Sequence, residues 1–122
     1  MIKQLTDENY VEYMDNTQKV VFIELMTPMC SACQMIYPTL ENMDKHYDEQ
    51  DVQIATIDVS RNPKLAKKFQ ISSVPVCISI DKNKNIIDYE MGAKDSERYF
   101  KMVDKAMGKT FWKSIKNIFS SK

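Results

Sequence analysis

Apolar residues follow two spacings along this chain. Short continuous apolar runs are typical of buried strands, and apolar residues that recur every three or four positions are typical of helices. Helices are predicted at 6–15, 31–48, 63–69 and 96–107, and strands at 20–26, 52–59, 76–80 and 86–91, with a weaker strand signal at 1–5. The two kinds of element alternate, which predicts an α/β sandwich with helices on both faces of a sheet.

Single residues mark the ends and irregularities of these helices. Thr6 is a predicted N-cap, because a hydroxyl there can accept from the free N–H groups of the first turn. Pro38 lies inside the helix predicted at 31–48 and predicts a kink. Pro63 suits the first turn of a helix, and Gly108 is a predicted C-cap.

The strand at 20–26 is almost continuously apolar, which predicts burial on both faces, as in a parallel sheet. Glu24 is its one charged residue. Its carboxyl either lies at an edge or in a salt bridge, or it is buried. We favour burial, because Glu24 interrupts an apolar strand six residues before Cys30. A desolvated carboxyl has a raised pKa.

Composition limits the class of protein. A chain of 122 residues suffices for one domain. The 17 basic and 17 acidic residues cancel, which argues against a dedicated nucleic-acid binder. No apolar run approaches the roughly 18 residues of a membrane span, and the first residues lack the apolar region of a signal peptide. Three cysteines exclude a disulfide-dense secreted scaffold. The expected compartment is therefore the cytoplasm.

Cys30 and Cys33 carry the candidate chemistry. They follow the buried strand and open the helix at 31–48. Two sulfurs at this spacing in one helical turn can bridge without moving the backbone. Free N–H groups at a helix N-terminus stabilise a thiolate, which is the nucleophile of thiol–disulfide exchange. Cys30 is thus the predicted attacking thiol and Cys33 the resolving thiol.

Other roles for the cysteines are less favoured. Both could be inert structural residues. A zinc site would need His46, the one histidine, but Cys33 and His46 share a helix and would lie about 20 Å apart. No metal is therefore expected. Cys77 is interpreted as a small buried hydrophobe, or alternatively as a third thiol near Cys33 that could form a regulatory disulfide.

Several landmarks in order resemble the thioredoxin family over roughly residues 1–107. They are Val20–Glu24, Cys30-Ser31-Ala32-Cys33, Gln34–Pro38, Ser60–Pro63, Phe69–Pro75 and Met91–Ala93. The resemblance implies the thioredoxin fold, with a mixed sheet of four or five strands and helices on both faces. It also implies reduction of disulfides in partner proteins, with no cofactor beyond the Cys30–Cys33 disulfide. A disulfide oxidase or isomerase remains the alternative within this chemistry.

The resemblance implies roles for further residues. Met29, Val74, a cis Pro75 and Gly92 would bind the substrate segment. Glu24 occupies the position of the family's buried acid and would take the proton of Cys33, directly or through water. A thioredoxin-reductase-like enzyme or a small thiol would supply electrons. The sequence Met29-Cys30-Ser31-Ala32-Cys33 departs from the family's usual Trp-Cys-Gly-Pro-Cys, which puts the natural substrate and reductant in doubt.

Residues 108–122 extend beyond the resemblance and predict a basic amphipathic helix. Lysines and apolar residues each recur there every three or four positions, and no acid occurs after Lys105. This extension either packs on the domain or docks through residues 109–119 on an anionic membrane surface or a partner protein. In the last case the chain would be an interaction module and its redox turnover incidental.

Overall fold

In the computed structural model, which describes residues 1–109, helices and strands alternate along the chain. The strands are β1 (Lys3–Gln4), β2 (Val20–Met26), β3 (Val52–Asp58), β4 (Val76–Ile80) and β5 (Ile86–Met91). The helices are α1 (Tyr10–Asn16), α2 (Ser31–His46), α3 (Pro63–Lys68) and α4 (Ser96–Ala106). Within this range, no helix is long and apolar enough to cross a membrane. The extension predicted at 108–122 lies outside the described residues from residue 110 onward.

The strands form one sheet in the order β1-β3-β2-β4-β5. β1 and β2 run parallel to β3, whereas β4 is antiparallel to both β2 and β5. The predicted mixed sheet is therefore confirmed, with five strands. Five of the seven β2 side chains are less than 2% exposed, because the strand lies at the centre of the sheet.

Helices cover both faces of the sheet, which confirms the predicted α/β sandwich. Tyr10 and Met14 of α1 and Leu65 of α3 pack on one face, here called the α1/α3 face. Residues of α2 and α4 pack on the other, here called the α2/α4 face; they are Ile36, Leu40, Met43, Tyr99, Met102 and Val103. The α2/α4 face lies under the helix that Cys30 and Cys33 open.

The predicted start of the first helix is wrong. Helix α1 begins at Tyr10, and Asn9 is its N-cap in place of Thr6. Thr6 and Asn9 instead close a turn reciprocally: the Thr6 N–H donates to Asn9 Oδ1 at 2.8 Å, and the Asn9 N–H donates to Thr6 Oγ1 at 3.2 Å. The polar side chains that suggested a helix cap therefore close a turn that precedes the helix.

Several other boundaries shift by one or two residues. The first strand is confined to Lys3–Gln4. Helix α2 ends at His46, because Tyr47 has extended backbone angles. Helix α4 ends at Ala106 and its C-cap is Met107, so the prediction of Gly108 as the C-cap is wrong by one residue. The φ of +80° at Gly108 explains why glycine is favoured there.

Candidate active site

Cys30 and Cys33 lie where β2 gives way to α2, and a disulfide joins them. Their Cα atoms are 5.2 Å apart, which is within the ordinary range for a disulfide. Cys30 is partly exposed, whereas Cys33 is 1% exposed. An external disulfide can therefore reach Cys30 and not Cys33.

The start of α2 favours a thiolate on Cys30. Cys30 is the N-cap residue of the helix, and the N–H of Cys33 donates to Cys30 Sγ at 3.1 Å. Once the disulfide is reduced, this N–H and the positive end of the helix dipole stabilise negative charge on the sulfur. Gln34 Nε2 donates to the Pro28 carbonyl at 2.7 Å and ties down the preceding loop. A backbone N–H thus stabilises the nucleophilic sulfur, and the Gln34 side chain fixes the loop before it.

Glu24 is buried beneath this helix. It points to the α2/α4 face, because its neighbour Ile23 packs on the α1/α3 face and side chains alternate along a strand. Glu24 is 1% exposed, and burial raises the pKa of its carboxyl to about 8. No hydrogen-bond partner among residues 1–109 reaches its Oε2 atom. Glu24 therefore keeps its proton at neutral pH in most molecules.

Cys77 lies directly opposite Glu24 in the antiparallel pair of β2 and β4. It is fully buried, and burial together with the Glu24 carboxyl raises the pKa of its thiol far above the usual range. A thiol that stays protonated is a poor nucleophile. These surroundings favour the interpretation of Cys77 as a small core residue over that of a regulatory thiol.

The Val74–Pro75 peptide bond is cis and directly precedes β4. Val76, the first residue of β4, pairs with Leu25 near the end of β2, so this loop lies at the same edge of the sheet as the start of α2. The Gly92 N–H donates to the Pro75 carbonyl at 2.9 Å. The structure therefore brings Val74, Pro75 and Gly92 together at the edge where the cysteines lie.

Met29 directly precedes Cys30, and 93% of its side chain is exposed. It contributes apolar surface beside the reactive sulfur.

Tyr99 of α4 also contributes to this edge, and the sequence alone did not identify it as a site residue. Its ring is buried, and its hydroxyl donates to the Gly92 carbonyl at 3.3 Å and accepts from the Lys94 N–H at 2.8 Å. Burial raises its pKa to about 12. The hydroxyl thus holds the Gly92 turn. A tyrosine in the buried stripe of α4, next to Met102 and Val103, was the available signal.

His46 is the last residue of α2, at the opposite end of the helix from the cysteines. Its ring packs edge-on against Tyr47 and Phe100, with centroids 4.8 and 5.2 Å away. Across the described part of the chain, no three ligand-type side chains lie close enough together to hold a metal ion. The structure does not bring His46 to the cysteine pair.

Comparison with known proteins gives one consistent family. A family profile described as Thioredoxin matches residues 1–105. The chain is 32% identical over 104 residues to a thioredoxin of Staphylococcus haemolyticus, covering 85% of this chain and 96% of the relative. It is 28% identical over 104 residues to a thioredoxin of Bacillus subtilis, with the same coverage. A thioredoxin of Buchnera aphidicola is 27% identical over 92 residues, covering 75% of this chain and 83% of the relative.

Proposed function

Because this chain belongs to the thioredoxin family and holds Cys30 and Cys33 as a redox pair, it is a thiol–disulfide oxidoreductase, and we propose that it reduces disulfides in partner proteins. The observation that carries the proposal is the unequal exposure of the two sulfurs. The partly exposed Cys30 can meet a substrate, and the buried Cys33 can act only on what Cys30 has bound.

The first step consumes the substrate disulfide. The Cys30 thiolate attacks one substrate sulfur, the substrate S–S bond breaks, and a mixed disulfide forms with Cys30. The other substrate sulfur leaves as a thiolate and takes a proton from water. The N–H of Cys33 and the start of α2 favour the thiolate before this attack.

The second step releases the substrate. Cys33 loses its proton, its thiolate attacks Cys30 Sγ, the bond between Cys30 and the substrate breaks, and the substrate sulfur leaves as a thiolate that takes a proton from water. Two electrons pass from the cysteine pair to the substrate. The ionised fraction of Glu24 accepts the Cys33 proton, directly or through water, and a carboxyl with a pKa of about 8 can exchange that proton near neutral pH.

In this proposal the substrate segment lies across the edge formed by Val74, Pro75 and Gly92, here called the cis-proline edge. The backbone of Val74 pairs with an extended chain, Pro75 and Gly92 form the floor, and the exposed Met29 covers the apolar side. A flexible thioether adapts to substrates of different shape.

A reductant must return the two electrons to Cys30 and Cys33. Thioredoxins act on disulfide-containing proteins and are typically reduced by a thioredoxin reductase. We assign this chain a reductase of that kind or a small thiol as its electron source, and the cytoplasm as its compartment. No cofactor beyond the cysteine pair takes part in the two steps.

Trapping of the mixed disulfide tests the proposal. A reduced Cys33→Ser variant, mixed with a peptide that contains one disulfide, is expected to accumulate a covalent adduct on Cys30, because nothing resolves it. Peptide mapping by mass spectrometry locates the adduct. The Cys30→Ser, Cys33→Ser double variant is the matched control and should form none. An adduct located on Cys77, or no adduct at all, contradicts the proposal.

A further inference from the structure

The apolar surface of this chain does not end at the cis-proline edge. We propose that a groove along β5, here called the β5 groove, binds an apolar segment of the substrate a few residues from its disulfide. This inference rests on the proposed function, because it assigns a substrate preference to the same site.

The β5 groove is a cavity of about 340 Å³ between the loop after α3 and the strands β4 and β5. All ten of its lining residues are uncharged; they are Phe69, Gln70, Ile71, Ser72, Ser73, Val76, Ile78, Ile86, Tyr89 and Met91. A charged segment would gain no ion pair there and would lose hydration. An aliphatic or aromatic segment fits this lining.

Three large apolar side chains of the groove are exposed to solvent. Ile86 is 55%, Tyr89 63% and Met91 55% exposed. They lie on one strand, in a groove, rather than scattered singly over the surface. Contiguous exposed apolar surface of this kind marks interaction sites.

The groove continues the proposed substrate-binding edge. Ser72 and Ser73 lead into Val74, and Met91 directly precedes Gly92, whose N–H donates to the Pro75 carbonyl at 2.9 Å. A chain that lies against Pro75 therefore meets the groove within a residue or two. This continuity identifies the occupant as part of the disulfide-bearing substrate.

β5 is also an edge strand, which suits an extended partner. Within residues 1–109 it pairs only with β4 in the sheet, although the Tyr89 N–H donates to Asp88 Oδ1 at 2.9 Å and the Tyr89 carbonyl accepts from Arg98 Nη2 at 3.4 Å. An extended peptide that replaces these two side-chain bonds can pair with the edge while its alternate side chains enter the groove. Ile86 to Met91 spans five residue steps, or about 16 Å of extended chain.

A pair of matched peptide substrates tests the proposal on the full-length chain. Each peptide contains one disulfide, and the two differ only in carrying two leucines or two serines about five residues from the attacked cysteine. The measured quantity is the ratio of kcat/KM for the leucine peptide to that for the serine peptide. We expect about tenfold preference for leucine, the scale of burying one leucine-sized side chain.

The Tyr89→Ser and Ile86→Ser variants should each bring this ratio toward one. Val11 is the matched control, because it is 66% exposed on α1 and does not line the groove. The Val11→Ser variant should keep the native ratio. If the native protein reduces both peptides equally well, or if Tyr89→Ser leaves the preference intact, the groove proposal is wrong. If it reduces neither peptide, the proposed function itself fails.

Two other occupants would also contradict the proposal. A concentration-dependent dimer in sedimentation equilibrium that Tyr89→Ser dissociates would assign the groove to a second copy of this chain. A leucine preference that appears only after removal of residues 110–122 would assign the groove to that segment. We expect neither result.

Discussion

The two faces of the sheet bury residues of different polarity. On the α1/α3 face, every strand residue in the core is aliphatic. On the α2/α4 face, the same strands bury Glu24, Cys77 and Ser79. Among the described residues, three buried side-chain oxygens have no hydrogen-bond partner: Glu24 Oε2 and Ser79 Oγ on this face, and the hydroxyl of Tyr13, which packs against the α1/α3 face.

This difference suggests that the α1/α3 face serves mainly the stability of the fold, whereas the α2/α4 face serves the chemistry of the cysteine pair. A buried polar group without a partner costs about 1–3 kcal/mol. Two of the three such groups lie on the face covered by α2, the helix that begins at the reactive cysteines, and the aliphatic strand residues of the α1/α3 face offset their cost. We therefore expect substitutions on the two faces to have opposite consequences for stability and turnover.

The largest expected effect is the loss of turnover in Cys30→Ser. A serine hydroxyl cannot replace the thiolate, so kcat/KM for a peptide disulfide should fall by several orders of magnitude. The free energy of unfolding, compared with that of the reduced native protein, should change by less than about 1 kcal/mol, because Cys30 is partly exposed. Retained turnover would place the chemistry elsewhere.

Glu24→Gln should stabilise the protein as pH rises. In the unfolded chain the carboxyl ionises near pH 4.5, whereas in the folded chain it holds its proton until about pH 8. Between these values the native protein loses about 1.4 kcal/mol per pH unit relative to the variant, several kcal/mol in all.

Urea denaturation at several pH values measures this difference. The native protein and Glu24→Gln should be about equally stable below pH 4.5. The difference in their free energies of unfolding should stop growing above about pH 8. The variant should also resolve the mixed disulfide more slowly near pH 8, since it lacks the proton acceptor. A gap that does not change with pH would show that Glu24 is not buried in its protonated form.

Ile23→Ala tests the other face at the neighbouring residue. Ile23 is fully buried on the α1/α3 face, so its truncation should cost about 3 kcal/mol at every pH. The fraction that remains folded should keep its kcat, because the side chain points away from α2. A large drop in the kcat of fully folded Ile23→Ala would contradict the assignment of stability and chemistry to different faces.

The smallest effect is expected at Cys77. Because burial raises the pKa of its thiol, iodoacetamide should modify Cys30 in the reduced folded protein and reach Cys77 only on unfolding. Cys77→Ala should leave turnover nearly unchanged. Inactivation by alkylation of Cys77, while Cys30 and Cys33 are protected as a disulfide, would make it a functional thiol.

Local patterns in the sequence sufficed for much of this account. The apolar run around Glu24, the helical spacing after Cys33 and the strands at 76–80 and 86–91 each depend on neighbouring residues, and the structure confirms these elements. The prediction that the first helix begins at Thr6 was wrong, because Thr6 and Asn9 bond to each other in a turn. Local polarity does not distinguish that turn from a helix cap.

Contacts across the sheet could not be predicted in this way. The position of Cys77 opposite Glu24 depends on the register of β2 and β4, and the bond from Tyr99 to Gly92 depends on how α4 packs. The β5 groove likewise needs the loop after α3 to fold beside β5. Such placements follow from the assembled fold rather than from any one segment.

The reduction potential of the Cys30–Cys33 pair tests the central claim most directly. Equilibration with a series of glutathione redox buffers, followed by counting of free thiols, gives the midpoint. A reductant of partner disulfides should show one two-electron transition near about −270 mV. A midpoint above about −180 mV would indicate a disulfide oxidase or isomerase, and the absence of any transition would contradict the redox role altogether.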